Sequence, residues 1–136
     1  MHSNGFKPVS SWKANEGKKI NIVGCNNTQL CISQANVITY FELKDQQITK
    51  IAQKTLENEV ACIDLTPLEN EKVSNVVAVG MWTTLSVNLL KLPSLEILNT
   101  LELGGGAIPK SLIFNTFESQ DYLFVGKNKD RKKNRK

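Results

Sequence analysis

The segment Gly104-Gly-Gly-Ala-Ile-Pro-Lys-Ser111 comes nearest to a chemical motif in this chain. Its glycines and its Lys-Ser pair resemble the phosphate-binding pattern G-x-x-x-x-G-K-[ST], whose backbone N–H groups cradle phosphates. Pro109 stands where the second glycine is required, and a proline removes an N–H donor and fixes φ. The residues after Ser111 are strand-like, so no helix N-terminus faces an anion. We therefore interpret the segment as a flexible connection between strands.

The side chains that perform acid–base or metal chemistry are sparse. His2 is the single histidine and lies at the very start of the chain, which removes most zinc and general-base schemes. The acidic residues form no recognisable catalytic pair, and we expect Asp64 to face solvent or to bond a neighbouring turn. No nucleophile elbow or Cys/His pairing is present. We expect no enzyme activity, no cofactor and no metal site.

A tryptophan on a predicted strand connection is the best candidate for binding a partner. Met81, Trp82 and Thr83 follow an apolar strand and precede the next one. An exposed aromatic residue beside a methionine is typical of the anchors that dominate protein interfaces. A tryptophan that fills a gap between packed sheets fits the same pattern, and the sequence leaves both interpretations open.

The charge of the chain is concentrated at its C-terminal end. The formal net charge of the 136 residues is +4, but residues 127–136 alone carry +6, so the other 126 residues sum to −2. This segment is a candidate nucleic-acid contact or nuclear import signal. A solvated, disordered end is the alternative. The basic residues are Lys127, Lys129, Arg131, Lys132, Lys133, Arg135 and Lys136.

Three cysteines lie within strand-like apolar segments. Cys25, Cys31 and Cys62 are an odd number and show no C-x-x-C spacing. We expect all three to be buried, reduced thiols, which fits an intracellular protein. The polar N-terminus has no secretory signal and no apolar run is long enough to span a membrane. The expected location is the nucleus, and also the cytoplasm, with no membrane partner.

Short strands that recur about every forty to fifty residues must position these side chains. They are rich in Val, Ile, Leu, Tyr and Phe, and turn-forming residues separate them. Four strands per unit at this period indicate propeller blades. We predict an all-β fold, a partial β-propeller of about two and a half four-stranded WD40-like blades. The units are about 20–56, 59–103 and 107–126, after an irregular lead-in at 1–19 and before a basic disordered tail at 127–136.

An incomplete propeller has a physical consequence. Each blade buries its faces against its neighbours, so two and a half blades leave an apolar face at each end. A closed ring needs at least four blades. We therefore expect this polypeptide to be a piece of a larger protein or a truncated product, and to need further blades or another chain that caps the open faces.

Four motifs carry a resemblance to a known family. They are 59–68 (EVACIDLTPL), 79–86 (VGMWTTLS), 90–96 (LKLPSLE) and 103–111 (LGGGAIPKS). In this order and spacing they resemble the second propeller of the damaged DNA-binding protein 1 family. The similarity covers about residues 8–126. Related families are the large propeller subunits of the cleavage and polyadenylation factor and of the U2-associated splicing factor.

The resemblance implies a non-enzymatic scaffold. Members of the family are adaptors of cullin-4 RING ubiquitin ligases and take part in recognising damaged DNA. Their second propeller docks the cullin-4 scaffold, while the other two clamp substrate receptors. The resemblance also implies that Trp82 and its loop contact the cullin-4 scaffold. Two alternatives stay open: a nucleic-acid-associated factor like the RNA-processing relatives, and a truncated product without a function of its own.

Overall fold

The computed structural model describes residues 19–103 and 106–129, and these form ten β-strands in three antiparallel sheets. None of the described residues is helical, which confirms the predicted all-β class. None of them forms a helix long and apolar enough to cross a membrane. The strands are β1 Ile22–Cys25, β2 Gln29–Gln34, β3 Val37–Lys44, β4 Gln47–Thr55, β5 Val60–Asp64, β6 Val76–Met81, β7 Ser86–Lys91, β8 Glu96–Glu102, β9 Ala107–Phe117 and β10 Gln120–Lys129.

The first two sheets confirm the predicted complete blades. Their strand orders are β1-β2-β3-β4 and β5-β6-β7-β8, so each strand pairs with its neighbour along the chain. Such meanders need only short turns. Asp45 and Gln46 link β3 to β4, and both have positive φ, as a type I′ hairpin turn requires. Apart from the longer β5–β6 connection at 65–75, the strand pattern therefore follows from short β-forming runs separated by short turns.

The third sheet contains two strands, β9 and β10, as predicted for half a blade. β10 ends at Lys129, three residues beyond the boundary at which we expected the basic tail to begin. The reason is that β9 begins at Ala107, and the backbone of residues 107–109 pairs with residues 127–129 after a bulge. The predicted lead-in, apart from residue 19, and residues 130–136 of the tail lie outside the described residues.

Two apolar clusters hold the sheets together. The larger one lies between the first and second sheets and includes Ile38, Tyr40, Val77 and Leu90, all almost fully buried. The smaller one joins the second sheet to the third through residues such as Phe114. Because neighbouring sheets share these clusters, the three sheets pack as consecutive blades.

Two glycines lie where neighbouring strands approach closely. A Cβ added at Gly24 of β1 would lie 2.7 Å from Cγ2 of Ile63 in β5. A Cβ at Gly80 of β6 would lie 2.5 Å from Sγ of Cys62 and 3.0 Å from Cβ of Pro109 in β9. No side chain fits at either place, so each glycine sets the distance at which two strands pack.

Polar side chains also link the sheets. Gln29 of the first sheet donates from Nε2 to the carbonyl oxygen of Ser74 (2.9 Å), and its Oε1 accepts from the Ser74 N–H (2.7 Å). Asp64 of the second sheet accepts from the Phe114 N–H of the third (2.9 Å) and from Thr66. Asp64 therefore bonds a neighbouring turn, as expected, and additionally the next blade.

Within the described part of the chain, the outer face of the third sheet is exposed and apolar. Phe117, Tyr122 and Phe124 are exposed there, together with Ile113. Leu112 and Phe114 lie on the other face of the same sheet and point into the smaller core cluster. The predicted apolar end face is thus present on β9 and β10.

Candidate protein-docking surface

Connections from two blades meet on one rim of the structure and form a single surface. In a four-strand meander, the turn between the second and third strands and the link to the next blade lie on the same side. Here these are the β2–β3 turn, the β4–β5 connection and the β6–β7 connection, which line one open depression. We call it the Trp82 surface; its residues are Ala35, Asn36, Glu57, Asn58, Glu59, Trp82 and Thr83.

Backbone hydrogen bonds fix these connections to one another. The Trp82 N–H donates to the carbonyl oxygen of Glu59 (3.1 Å), and the Val60 N–H donates to that of Ala35 (3.3 Å). Asn36 holds the start of the β4–β5 connection, because its Nδ2 donates to the carbonyl oxygen of Leu56 (2.9 Å). The surface is therefore held in shape before any partner arrives, which lowers the entropy cost of binding.

Trp82 is the largest side chain of this surface and is 39% exposed. Nζ of Lys110, at the start of the third sheet, lies 4.7 Å from the centroid of its ring. A cation over an indole face is attracted by the ring quadrupole. This contact ties the tryptophan to β9 and restricts its orientation. Trp82 thus combines an accessible apolar ring with a contact that favours one orientation of that ring, and both properties suit an interface anchor.

The charge around the ring is mixed. The residues Glu57 and Glu59 are exposed on the β4–β5 connection, and Nζ of Lys110 lies over the Trp82 ring. A partner that places an apolar group on the indole and basic groups beside Glu57 and Glu59 would complement this arrangement. The surface is suited to binding a protein.

The structure separates the three predicted partner-binding residues. Met81 is the last residue of β6 and is 2% exposed, because its side chain lies in the larger core cluster. Trp82 and Thr83 are exposed on the connection between β6 and β7. Of the basic segment, Lys127 is exposed on β10 and the backbone of Lys129 ends that strand. The remaining basic residues of the segment lie outside the described part of the chain: Arg131, Lys132, Lys133, Arg135 and Lys136.

The sequence analysis missed four residues at the Trp82 surface: Asn36, Glu57, Glu59 and Lys110. The four-strand repeat held a signal for the first three, since it places the β2–β3 and β4–β5 connections on the rim that carries Trp82. No sequence signal indicates Lys110, because its contact with Trp82 depends on how closely β9 packs against β6. The segment 104–111 continues as a strand from Ala107, which excludes a phosphate-binding loop followed by a helix.

Among the described residues, no group of three or more histidine, cysteine or acidic side chains is placed to hold a metal ion. Two acidic residues, Glu69 and Asp121, lie close together on the rim opposite to the Trp82 surface. A side-chain hydrogen bond with Asp121 and its like charge raise the pKa of Glu69. Thr116 accepts from the Glu69 N–H and donates to Asp121, both through its hydroxyl. These contacts join the β5–β6 connection to the third sheet.

The cysteines differ in their surroundings. Cys31 and Cys62 are buried, as predicted, but Cys25 is exposed, so the prediction for that residue is wrong. Residues alternate along β1, and Ile22 and Gly24 take the side that faces the second sheet.

Burial raises the pKa of Cys31 to about 12. Burial also raises the pKa of Cys62, against the opposing effects of a backbone hydrogen bond with Gly80 and the charge of Lys110.

We expect the native protein to react with a thiol reagent such as Ellman's reagent at Cys25 only. The thiolate is the reactive form, and below about pH 9 Cys31 and Cys62 are both protonated and shielded. In a mildly alkaline buffer, one thiol should react rapidly and two only after urea is added. The Cys25→Ser variant should lose the rapid phase. Two rapid phases in the native protein would contradict the burial of the other thiols.

Comparisons with known proteins agree with this fold. Residues 1–131 match the family model for the RSE1/DDB1/CPSF1 second beta-propeller. The chain is 41% identical over 116 residues to DNA damage-binding protein 1 of Drosophila melanogaster, which covers 85% of this chain and 10% of that protein. It is 38% identical over 117 residues to the protein of the same name from Oryza sativa, with 85% and 11% covered.

A third relative extends the match. DNA damage-binding protein 1a of Arabidopsis thaliana is 34% identical over 131 residues, with 89% of this chain and 12% of the relative covered. The chain thus spans about a tenth of the length of these curated relatives. The strand repeat, the rim that carries Trp82 and these matches lead to one conclusion: the chain belongs to the RSE1/DDB1/CPSF1 second beta-propeller family.

Proposed function

We propose that this protein is a non-enzymatic docking module of the cullin-4 RING ubiquitin-ligase adaptor type, and that it binds the cullin-4 scaffold through the Trp82 surface. The observation that carries the proposal is the exposed Trp82 ring, which lies under Nζ of Lys110 on a connection whose backbone is hydrogen-bonded to that of Glu59. An aromatic anchor that is oriented before binding contributes more to affinity than a mobile one.

The names of the relatives support a role in the response to damaged DNA. Three relatives from an insect and two plants are named DNA damage-binding proteins. This chain spans about a tenth of their length. We therefore propose that it performs only a part of their activity. We assign to this chain the scaffold contact, and we expect substrate receptors to bind the longer relatives through regions that it does not contain.

We expect the Trp82→Ala substitution to weaken binding to purified cullin-4 by about thirtyfold, which corresponds to the roughly 2 kcal/mol typical of a tryptophan hot spot. Because the ring is only 39% exposed, the free energy of unfolding should also fall, so the affinity is measured at a temperature at which both chains are folded. Isothermal titration calorimetry with the full chain measures the affinity, and a urea titration measures the stability.

Val73→Ala is the matched control for this experiment. Val73 is 47% exposed in the β5–β6 connection, on the opposite rim. Its substitution should leave the affinity for cullin-4 unchanged. Equal losses from both variants would remove the Trp82 surface from the proposal. No binding of the unaltered chain to cullin-4 would remove the proposed partner.

A second candidate function rests on the family itself, whose model also covers RSE1 and CPSF1. In that case the partner is a subunit of an RNA-processing complex, and the basic residues from Lys127 onward make phosphate contacts. Pull-down with the full chain of cullin-4 and of cleavage and splicing subunits in parallel separates the two. We propose a nuclear as well as a cytoplasmic location for either function.

A further inference from the structure

A groove lies between the first two blades, next to the Trp82 surface. It separates the end of β4 from the β7–β8 pair, and Glu57 and Asn58 line both this groove and the Trp82 surface. We call it the interblade groove. All of its lining residues fall between 54 and 102, so its walls belong to the two sheets that have four strands each.

The size of the interblade groove limits what it can hold. Its volume is about 270 Å³, below the about 300–1,000 Å³ of pockets that enclose whole small molecules. One or two amino-acid side chains fit this space, whereas a large cofactor does not. Because the groove opens beside Trp82, a protein docked on that surface can place a side chain in it.

Apolar side chains line the inner part of the groove. Leu56 and Met81 are almost fully buried and belong to the larger core cluster. Ile97 lies opposite Leu90 of that cluster, so it points to the same face of the second sheet. Ile97 is 46% exposed. A flexible methylene chain that enters the groove therefore finds apolar contacts along its length.

Two carboxylates and one ammonium group line the groove, which gives it a net charge of −1. Glu57 comes from the β4–β5 connection, and Glu102 ends β8. Both are exposed, and neither side chain makes a hydrogen bond or an ion pair within the part of the chain that the structure describes. The ammonium group belongs to Lys54 of β4. Unpaired carboxylates on both walls favour a cation between them.

Neutral acceptors complete the lining. Oγ1 of Thr84 and Oγ of Ser86 share a hydrogen bond of 2.8 Å. Oγ1 of Thr100 donates to Oδ1 of Asn88 (2.7 Å). Each of these oxygens keeps a lone pair for a further donor. A guanidinium group has five N–H donors in one plane and reaches several acceptors at once, whereas an ammonium group is compact. The lining therefore suits arginine better than lysine.

We propose that the interblade groove binds an arginine side chain of the protein that docks on the Trp82 surface. The methylene stem packs on the apolar inner part, and the guanidinium group lies between Glu57 and Glu102. The inference rests on the proposed function in one respect, that a protein partner covers the Trp82 surface. An apolar or acidic side chain at the same place would leave both carboxylates unpaired, so the groove contributes specificity.

Nuclear magnetic resonance titration of the full chain tests the groove without a partner. The probe is N-acetyl-arginine methylamide, which should shift the amide signals of residues 55–58, 86–88 and 97–102. N-acetyl-norleucine methylamide has a similar stem but no guanidinium group, and should bind about tenfold more weakly. Equal affinity for the two probes, or no shift at the groove at the solubility limit of the arginine probe, would overturn the proposal.

Glu102→Gln tests the charge, and Glu96→Gln is its matched control. Both glutamates are exposed on β8, but Glu96 lies at the other end of the strand, opposite Lys91, and does not line the groove. Glu102→Gln should weaken binding of the arginine probe about tenfold, since it removes a charged acceptor. Glu96→Gln should leave the affinity unchanged. Equal affinities of the two variants would overturn the proposal.

Purified cullin-4 separates this inference from the proposed function. We expect Glu102→Gln to weaken cullin-4 binding about tenfold and Glu96→Gln to have no effect. Unchanged binding of Glu102→Gln would overturn the assignment of the arginine to the docked partner, while the proposed function would stand. If the unaltered chain does not bind cullin-4, the proposed function fails, and the probe titration still decides whether the groove binds arginine.

Discussion

Replacing Gln29 with leucine is expected to lower the free energy of unfolding by about 3 kcal/mol, because a buried polar group that loses its partner costs about 1–3 kcal/mol. The Gln29 side chain is almost fully buried and bonds both the N–H and the C=O of Ser74. Leucine has a similar size but neither donates nor accepts. The backbone of Ser74 would then lack these partners at the junction of two sheets.

The other hydrogen-bond partners of Gln29 each keep a second hydrogen bond after the substitution. Its Nε2 also donates to Oη of Tyr40 (2.8 Å), and its Oε1 also accepts from Nδ2 of Asn26 (2.7 Å). Tyr40 still donates to Glu42, and Asn26 still donates to the carbonyl oxygen of Leu65. The two groups on Ser74 are therefore expected to account for most of the loss.

Gln47→Leu is the matched control, since Gln47 is an exposed glutamine at the first position of β4. An exposed substitution of this kind changes stability by about 0.5 kcal/mol or less. Urea titrations of the three proteins measure the difference. Similar midpoints for Gln29→Leu and Gln47→Leu would show that the hydrogen bonds of Gln29 do not hold the first two sheets together.

The second large effect is expected at Gly80. A Gly80→Ala substitution should destabilise the packing of the third sheet on the second by about 2–3 kcal/mol, the cost of overpacking a tight core. The new Cβ would meet Cys62 Sγ at 2.5 Å and Pro109 Cβ at 3.0 Å. The Pro109 ring cannot rotate away, so β9 has to move.

Hydrogen exchange locates this effect. In Gly80→Ala, amides of β9 and β10 should exchange faster, while those of β2 and β3 should keep their protection, because they lie in a different sheet. Gly126→Ala is the control: its Cβ would meet the Ser111 hydroxyl, a flexible side chain. Unchanged exchange in β9 and β10 of Gly80→Ala would contradict the tight contact at this junction.

Periodic strands made the blades predictable from the sequence. Each β-forming run is short and ends at turn residues such as Asp45-Gln46, so local preference and packing agree on the same meander. The position of Trp82 between two strands followed from the same repeat. The burial of Met81 did not, because whether the last residue of a strand points inward depends on the register of β6 against β5 and β7.

The contacts between sheets were less predictable. Gln29 and Ser74 lie 45 residues apart, and the β5–β6 connection that carries Ser74 has no periodic pattern. The sequence likewise gives no reason to pair Trp82 with Lys110. Cys25 was expected to be buried because of its apolar neighbours, yet alternation along β1 turns it outward. Long-range packing, which sets these positions, leaves little trace in local residue types.

Hydrogen-exchange mass spectrometry of the full chain, free and bound to purified cullin-4, tests the central claim most directly. Our account predicts that binding slows exchange in the connections of the Trp82 surface, at residues 35–36, 56–59 and 82–85. The opposite rim, at 26–28, 67–72 and 118–119, should exchange as in the free protein. Protection confined to the opposite rim, with none around Trp82, would contradict the proposed docking surface.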